Sequence, residues 1–148
     1  MKLAEKSRKK IEEFFREYLK NEEFQLPEIQ FYGGKFTRVL TSALKIEGIT
    51  IGRRIYIFPG NFWFSENRKL RLDEELVVHE VTHVLQYNRE GFLKFLGRYF
   101  KCYYLNLRKK KRWDLAARAE AYFEIPYEIE ARKIASNFRA WSKNRKII

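Results

Sequence analysis

The sequence predicts an α+β domain. It should pair a small, mainly antiparallel sheet with an active-site helix and a later helix that carries a glutamate. Three observations carry this. The run from Leu76 to Leu85 is almost wholly apolar except for His79-Glu80-Val81-Thr82-His83, and helix punctuation flanks it. The stretch from Phe36 to Phe58 is rich in β-branched and aromatic residues and broken by glycines, as short strands are. Pro126 then opens a segment whose apolar residues recur at helical spacing. A length of 148 residues fits a single domain with a real core, here residues 1–148. A hydrophobic content of 45% with 17% aromatics excludes a disordered chain.

In chain order, Leu3, Ile11, Phe14, Phe15, Tyr18 and Leu19 define an amphipathic helix over residues 3–20, suited to core packing or to a membrane surface. Met1 to Lys10 is basic with no apolar stretch behind it, so it does not read as a secretory signal, and a cytoplasmic or membrane-peripheral location is expected. Pro27 ends the helical pattern. A sheet is expected over about residues 29–58, with strands such as Ala43–Ile46, Ile49–Ile51 and Ile55–Phe58. Glu47-Gly48 and Gly52-Arg53 are the turns between them, and Pro59-Gly60 is the stop. Ile55–Phe58 is the candidate edge for pairing with an extended peptide. The cluster Asn61-Phe62-Trp63-Phe64, before a polar loop from Ser65 to Arg71, reads as a lid on the core or as an apolar pocket wall.

The helix expected over residues 73–88 holds the chemistry. Asp73 caps it, Glu74 and Glu75 suit its positive end, and Gly91 stops it. His79 and His83 are four residues apart, so they stand on one helix face and can present ring nitrogens to one metal ion. Glu80 is rotated by about 100° and flanks the metal as a general base. These are the only two histidines of the chain. A third histidine ligand is therefore excluded, and Gln86 and Arg89 stand where the H-E-x-x-H-x-x-G-x-x-H pattern has glycine and histidine.

The third ligand must be a downstream carboxylate. In a helix expected over residues 126–142, Glu128 shares a stripe with Ala131 and Ala135, whose small side chains let two helices approach; Glu124, one turn earlier, is the alternative. Glu130 points elsewhere, towards the side of Ile134.

Between these helices, Phe92 to Leu107 reads as a helix with Lys94, Arg98 and Lys101 opposite its apolar face. The basic segment 108–112, Arg108-Lys109-Lys110-Lys111-Arg112, follows it, and Asp114 caps a short helix running to Phe123. Charges interrupt the apolar face too often for a membrane span. The net charge of +12 points to an anionic partner or to a solvated surface. An anionic membrane contact is one expectation; nucleic acid is another, though no nucleic-acid motif accompanies the charge. Cys102 is single, so no internal disulfide forms.

H-E-x-x-H on one helix with Glu128-Ile129-Glu130-Ala131 on a later one resembles the gluzincin metallopeptidases, the thermolysin-like clan and its smallest members. Ile-Thr-Ile-Gly…Ile-Tyr-Ile-Phe-Pro-Gly upstream and Pro-Tyr-Glu-Ile-Glu-Ala-Arg downstream resemble small bacterial and archaeal members, over roughly residues 47–135. The resemblance implies a minimal zincin-like fold, His79, His83 and Glu128 as ligands of one Zn2+ per chain, Glu80 as base, and a peptide or protein substrate. One departure stands out: Arg132 occupies the place where many gluzincins carry an aspartate that orients a ligand histidine. Tyr122, Tyr127 and Arg132 are the candidate donors to a tetrahedral oxyanion. The alternative reading is a non-catalytic metal-containing protein that uses its basic surface for binding. A third is an enzyme kept latent under the N-terminal helix or the Phe62–Phe64 segment.

Overall fold

The computed structural model describes residues 3–35, 37, 48–58, 62–64 and 70–145. Among these, helices dominate: α1 (Glu5–Leu19), α2 (Glu74–Glu90), α3 (Phe92–Lys110), α4 (Leu115–Phe123) and α5 (Pro126–Arg145). The strands are β1 (Gln30–Tyr32), β2 (Gly48–Ile51), β3 (Arg54–Ile57), β4 (Phe62–Phe64) and β5 (Leu70–Leu72). The class is α+β, as expected.

The caps read from sequence are in place. The Asp73 carboxylate accepts from Glu75 N at 2.9 Å, and that of Asp114 accepts from Ala117 N at 2.8 Å, satisfying amides that have no partner inside the helix. Gly91 closes α2 and opens α3 with φ at +86°, a conformation that disfavours any side chain. One glycine thus lets α3 turn back immediately. The helix α3 runs to Lys110, so Arg108 to Lys110 form its last turn, where cations suit the dipole, instead of a loop.

The three-stranded sheet has the order β1-β3-β2. β2 and β3 form an antiparallel hairpin, Ile49 facing Tyr56 and Thr50 facing Ile55, turned at Gly52 with φ at +63°. β1 joins β3 in parallel, Phe31 facing Ile55. This corrects the expectation for Ile55–Phe58: β3 is central, hydrogen-bonded on both sides, and unable to receive a peptide. β2 is an edge among the described residues. The aromatic Phe62–Phe64 is also a strand, paired antiparallel with Leu70–Leu72. The expected strand Ala43–Ile46, the Pro59-Gly60 stop and Asn61 lie outside the described residues.

The core lies between the sheet, α1, α2 and α5. Ile11, Phe14 and Phe15 of α1 meet Phe31, Ile55 and Ile57 of the sheet, four valines of α2, and Ile134, Ala135 and Phe138 of α5. Burying a side chain such as Phe15 contributes about 1.5–3 kcal/mol. α5 packs along α2 through Ala131 and Ala135, both buried, so the two backbones come close at this crossing. A smaller cluster of Tyr87, Phe95, Ile125 and Tyr127 ties α3 to the same pair of helices.

Candidate metal centre

The polar interior of the protein is concentrated where α2, α3 and α5 meet. His79 and His83 stand one turn apart on α2, with their Nε2 atoms 3.2 Å apart. Glu128, on the first turn of α5, is only 2% exposed and reaches both: Oε2 is 3.2 Å from His79 Nε2 and Oε1 is 3.2 Å from His83 Nε2. The structure therefore assembles His79, His83 and Glu128, and this cluster could hold a metal ion. Glu124 is not part of it. One turn earlier at the end of α4, it is exposed and pairs with Lys110.

Three further properties fit a cation. The two histidine Nε2 atoms are 3.2 Å apart, close to the edge of about 3.3 Å that bonds of about 2.0 Å to a tetrahedral ion require, and each lies 3.2 Å from a different oxygen of the Glu128 carboxylate. Glu128 Oε2 is buried without a hydrogen-bond partner among the described residues, an orphaned carboxylate oxygen that a cation would satisfy. The tautomer of His83 is also set. Gln86, 1% exposed, donates through Nε2 to Tyr127 O at 3.1 Å and to Glu130 Oε2 at 2.9 Å, so its Oε1 faces His83 Nδ1 at 2.8 Å. A carbonyl oxygen can only accept, so Nδ1 carries the proton and Nε2 is directed at Glu128 and His79.

This corrects the placement of Glu130. It lies over α2, where it accepts from Gln86 and from both terminal nitrogens of Arg89 at 3.1 and 3.2 Å. Arg89, Glu130 and Gln86 thus form a chain that ends on His83 and holds its outer nitrogen. Burial works against the His83 imidazolium, but hydrogen bonding to Glu128 and the charges of Glu128 and Glu80 outweigh it and push the pKa up to about 9. Burial likewise opposes ionised Glu128, yet the His79 and His83 rings against it hold it well below the ordinary carboxylate range.

Glu80 sits on the sheet side of α2 and is buried. Thr50 of β2 donates its hydroxyl to Glu80 Oε2 at 2.7 Å. Beneath it is Gly48, where a Cβ would come within 2.6 Å of Glu80 Oε1. Only glycine leaves the carboxylate this place.

Two tyrosines complete the walls. The hydroxyl of Tyr99 on α3 donates to Glu128 Oε1 at 2.6 Å, and burial and the Glu128 charge push its pKa far up. Sequence reading missed Tyr99 as a site residue; its place on the buried face of α3, where a phenol needs a polar partner, was the available signal. Tyr122 is raised by burial and by the charges of Glu128 and Glu80, so it too remains a proton donor. The other oxyanion candidates are turned away. Tyr127 donates to Glu90 at 2.8 Å, and Arg132 bonds Phe123 O and covers the Phe123 ring at 4.9 Å.

Among the described residues, no helix is long and apolar enough to cross a membrane. A family model described as the eCIS core domain matches residues 2–91, well over half of the chain, and the chain belongs to that family. The matched span carries α1, the sheet, and α2 with both histidines and Glu80; Glu128, Tyr99 and Tyr122 lie beyond it. Neither a curated protein nor a solved structure matches the chain.

Proposed function

We propose that this member of the eCIS core domain family is a zinc-dependent peptide hydrolase with Glu80 as general base. The observation that carries the reading is the convergence of His79, His83 and Glu128 beside a buried Glu80 on one H-E-x-x-H helix. Two imidazoles and a carboxylate favour zinc among common divalent ions and leave a position open. A zinc ion held there supplies Lewis acidity to a peptide carbonyl and makes water acidic enough to attack at neutral pH.

The chain's own residues do the rest. Glu80 accepts the proton of the attacking water and returns it to the leaving amine. The Thr50 hydroxyl, bonded to Glu80 Oε2, holds its rotamer. Tyr122, flanked by Glu128 and Glu80 and locked in its protonated form, is the candidate donor to the oxyanion. β2 supplies the place for substrate: an edge among the described residues and next to Glu80, it can add an extended peptide by backbone pairing.

The test pairs elemental analysis with peptide-library cleavage. About one zinc per chain is expected in the wild type and in Glu80→Gln, with cleavage reduced at least about 100-fold in the variant. Metal bound with no cleavage by either protein would instead favour a non-catalytic metal-containing binding protein. No metal in the wild type after zinc is supplied would overturn both readings.

A further inference from the structure

The outer face of α3 is built differently from the other helix surfaces. Its 19 residues include no acid and six cations, with Lys111 and Arg112 next in the chain. Leu93, Phe100 and Tyr104 are 82%, 62% and 52% exposed. They are spaced by seven and then four residues, so they share one ridge, with Gly97 between them. Lys94, Lys101 and Arg108, spaced by sevens, form a parallel ridge one position round the helix, with Arg98 beside it. Lys94, Lys101 and Arg108 make no ion pair among the described residues. Behind the cationic ridge, a cavity of about 460 Å³ opens between α3 and the start of α5, lined by Arg98, Lys101, Leu105 and Pro126 among others. Exposed Trp113 stands just past the helix end.

We propose that this face of α3 docks on an anionic phospholipid bilayer. The apolar ridge would enter the headgroup boundary while Lys94, Lys101 and Arg108 pair with lipid phosphates and Trp113 marks the interface. The chemistry selects this occupant. A second copy of the chain would bring the same unpaired cations together. A nucleic acid would use the cations but gain little from Leu93 and Phe100. A bilayer with anionic headgroups uses both ridges at once. The opposite face of α3 presents Phe95 to His83 and Tyr99 to Glu128, so docking would also place α3 between the candidate metal centre and the lipid surface.

Flotation with vesicles of seven parts phosphatidylcholine to three parts phosphatidylglycerol tests it, on the full chain, at low and high salt. Binding is expected to anionic but not to neutral vesicles and to weaken steeply with salt. Lys94→Gln/Lys101→Gln/Arg108→Gln should lower it roughly 100-fold, at roughly fivefold per cation. Leu93→Gln/Phe100→Gln should lower it at least about tenfold with the charge unchanged. The control Lys6→Gln/Lys133→Gln/Lys143→Gln has the same charge change elsewhere and should retain binding within about threefold. All of these positions are exposed, and equal melting temperatures will show the variants folded. Absence of vesicle binding at low salt overturns the proposal, as does equal loss in the triple variant and its control. Duplex DNA binding that needs the cations but ignores the apolar pair would assign the face to nucleic acid. A dimer dissolved by the apolar pair would assign it to self-association.

Discussion

Gln86 shows how much a single buried amide can decide. Its two donor bonds, to Tyr127 O and Glu130, leave its oxygen for His83 and so hold the ring with Nε2 towards the metal position. Replacing it by leucine of similar size removes that hold without opening a large cavity. Gln86→Leu is expected to weaken metal binding about 10–100-fold, read by chelator competition, and to destabilise the metal-free protein by about 1–3 kcal/mol through the buried partners it leaves unsatisfied. Unchanged affinity would make the Gln86–Glu130–Arg89 chain structural only. At this scale the sequence was legible where chemistry and spacing coincide: two histidines four apart with a glutamate between are readable from the helical period. Gln86, Glu130 and Tyr99 were not, since amides, carboxylates and phenols are common on helices. Only contact with an element elsewhere in the chain gave them roles.

Among the elements, the pairing of α2 with α5 is the one on which the candidate metal centre depends. Ala131 is fully buried one turn after Glu128, between the two helices. Ala131→Leu would insert a branched side chain into this crossing and push the helices apart, at a cost of about 1–3 kcal/mol. The same variant should lose metal affinity by more than its loss of stability accounts for, because Glu128 moves with α5. Equal metal affinity in a destabilised variant would contradict this. The helices were legible because caps, glycine stops and apolar periodicity are local properties. The sheet was legible only in part. Its hairpin follows from Gly52, but whether β2 or β3 forms the edge depends on where β1 returns, a matter of long-range pairing. The parallel seat of β1 on β3 placed the edge at β2, against Glu80.

For the whole molecule, metal binding should couple to stability, because the residues that could hold the ion come from helices far apart in the chain. At metal concentrations 100-fold above Kd, the stabilisation is about 2.7 kcal/mol. That should raise the melting temperature roughly 5–10 °C at this size, and Glu128→Ala should abolish the rise. The sign with pH follows from His83. Its pKa is raised from 6.5 to about 9 in the metal-free fold. Its contribution to metal-free stability is therefore fully present below 6.5 and lost as pH climbs through about 9. A metal ion must displace that proton, so the metal-induced rise should grow from pH 6 towards 9, with proton release measurable by calorimetry in buffers of different ionisation enthalpy. A rise independent of pH would exclude His83 as a ligand. Sequence alone determined the class, the caps at Asp73 and Asp114, the two histidines with Glu80, and the basic character of the chain. These rest on composition and on periods of a few residues, which each segment carries by itself. Tertiary structure decided between Glu128 and Glu124, found the support of His83 in Gln86, and moved the sheet edge to β2. Those choices depend on distances between residues 24 or more apart in the chain, set by how the helices and strands pack together.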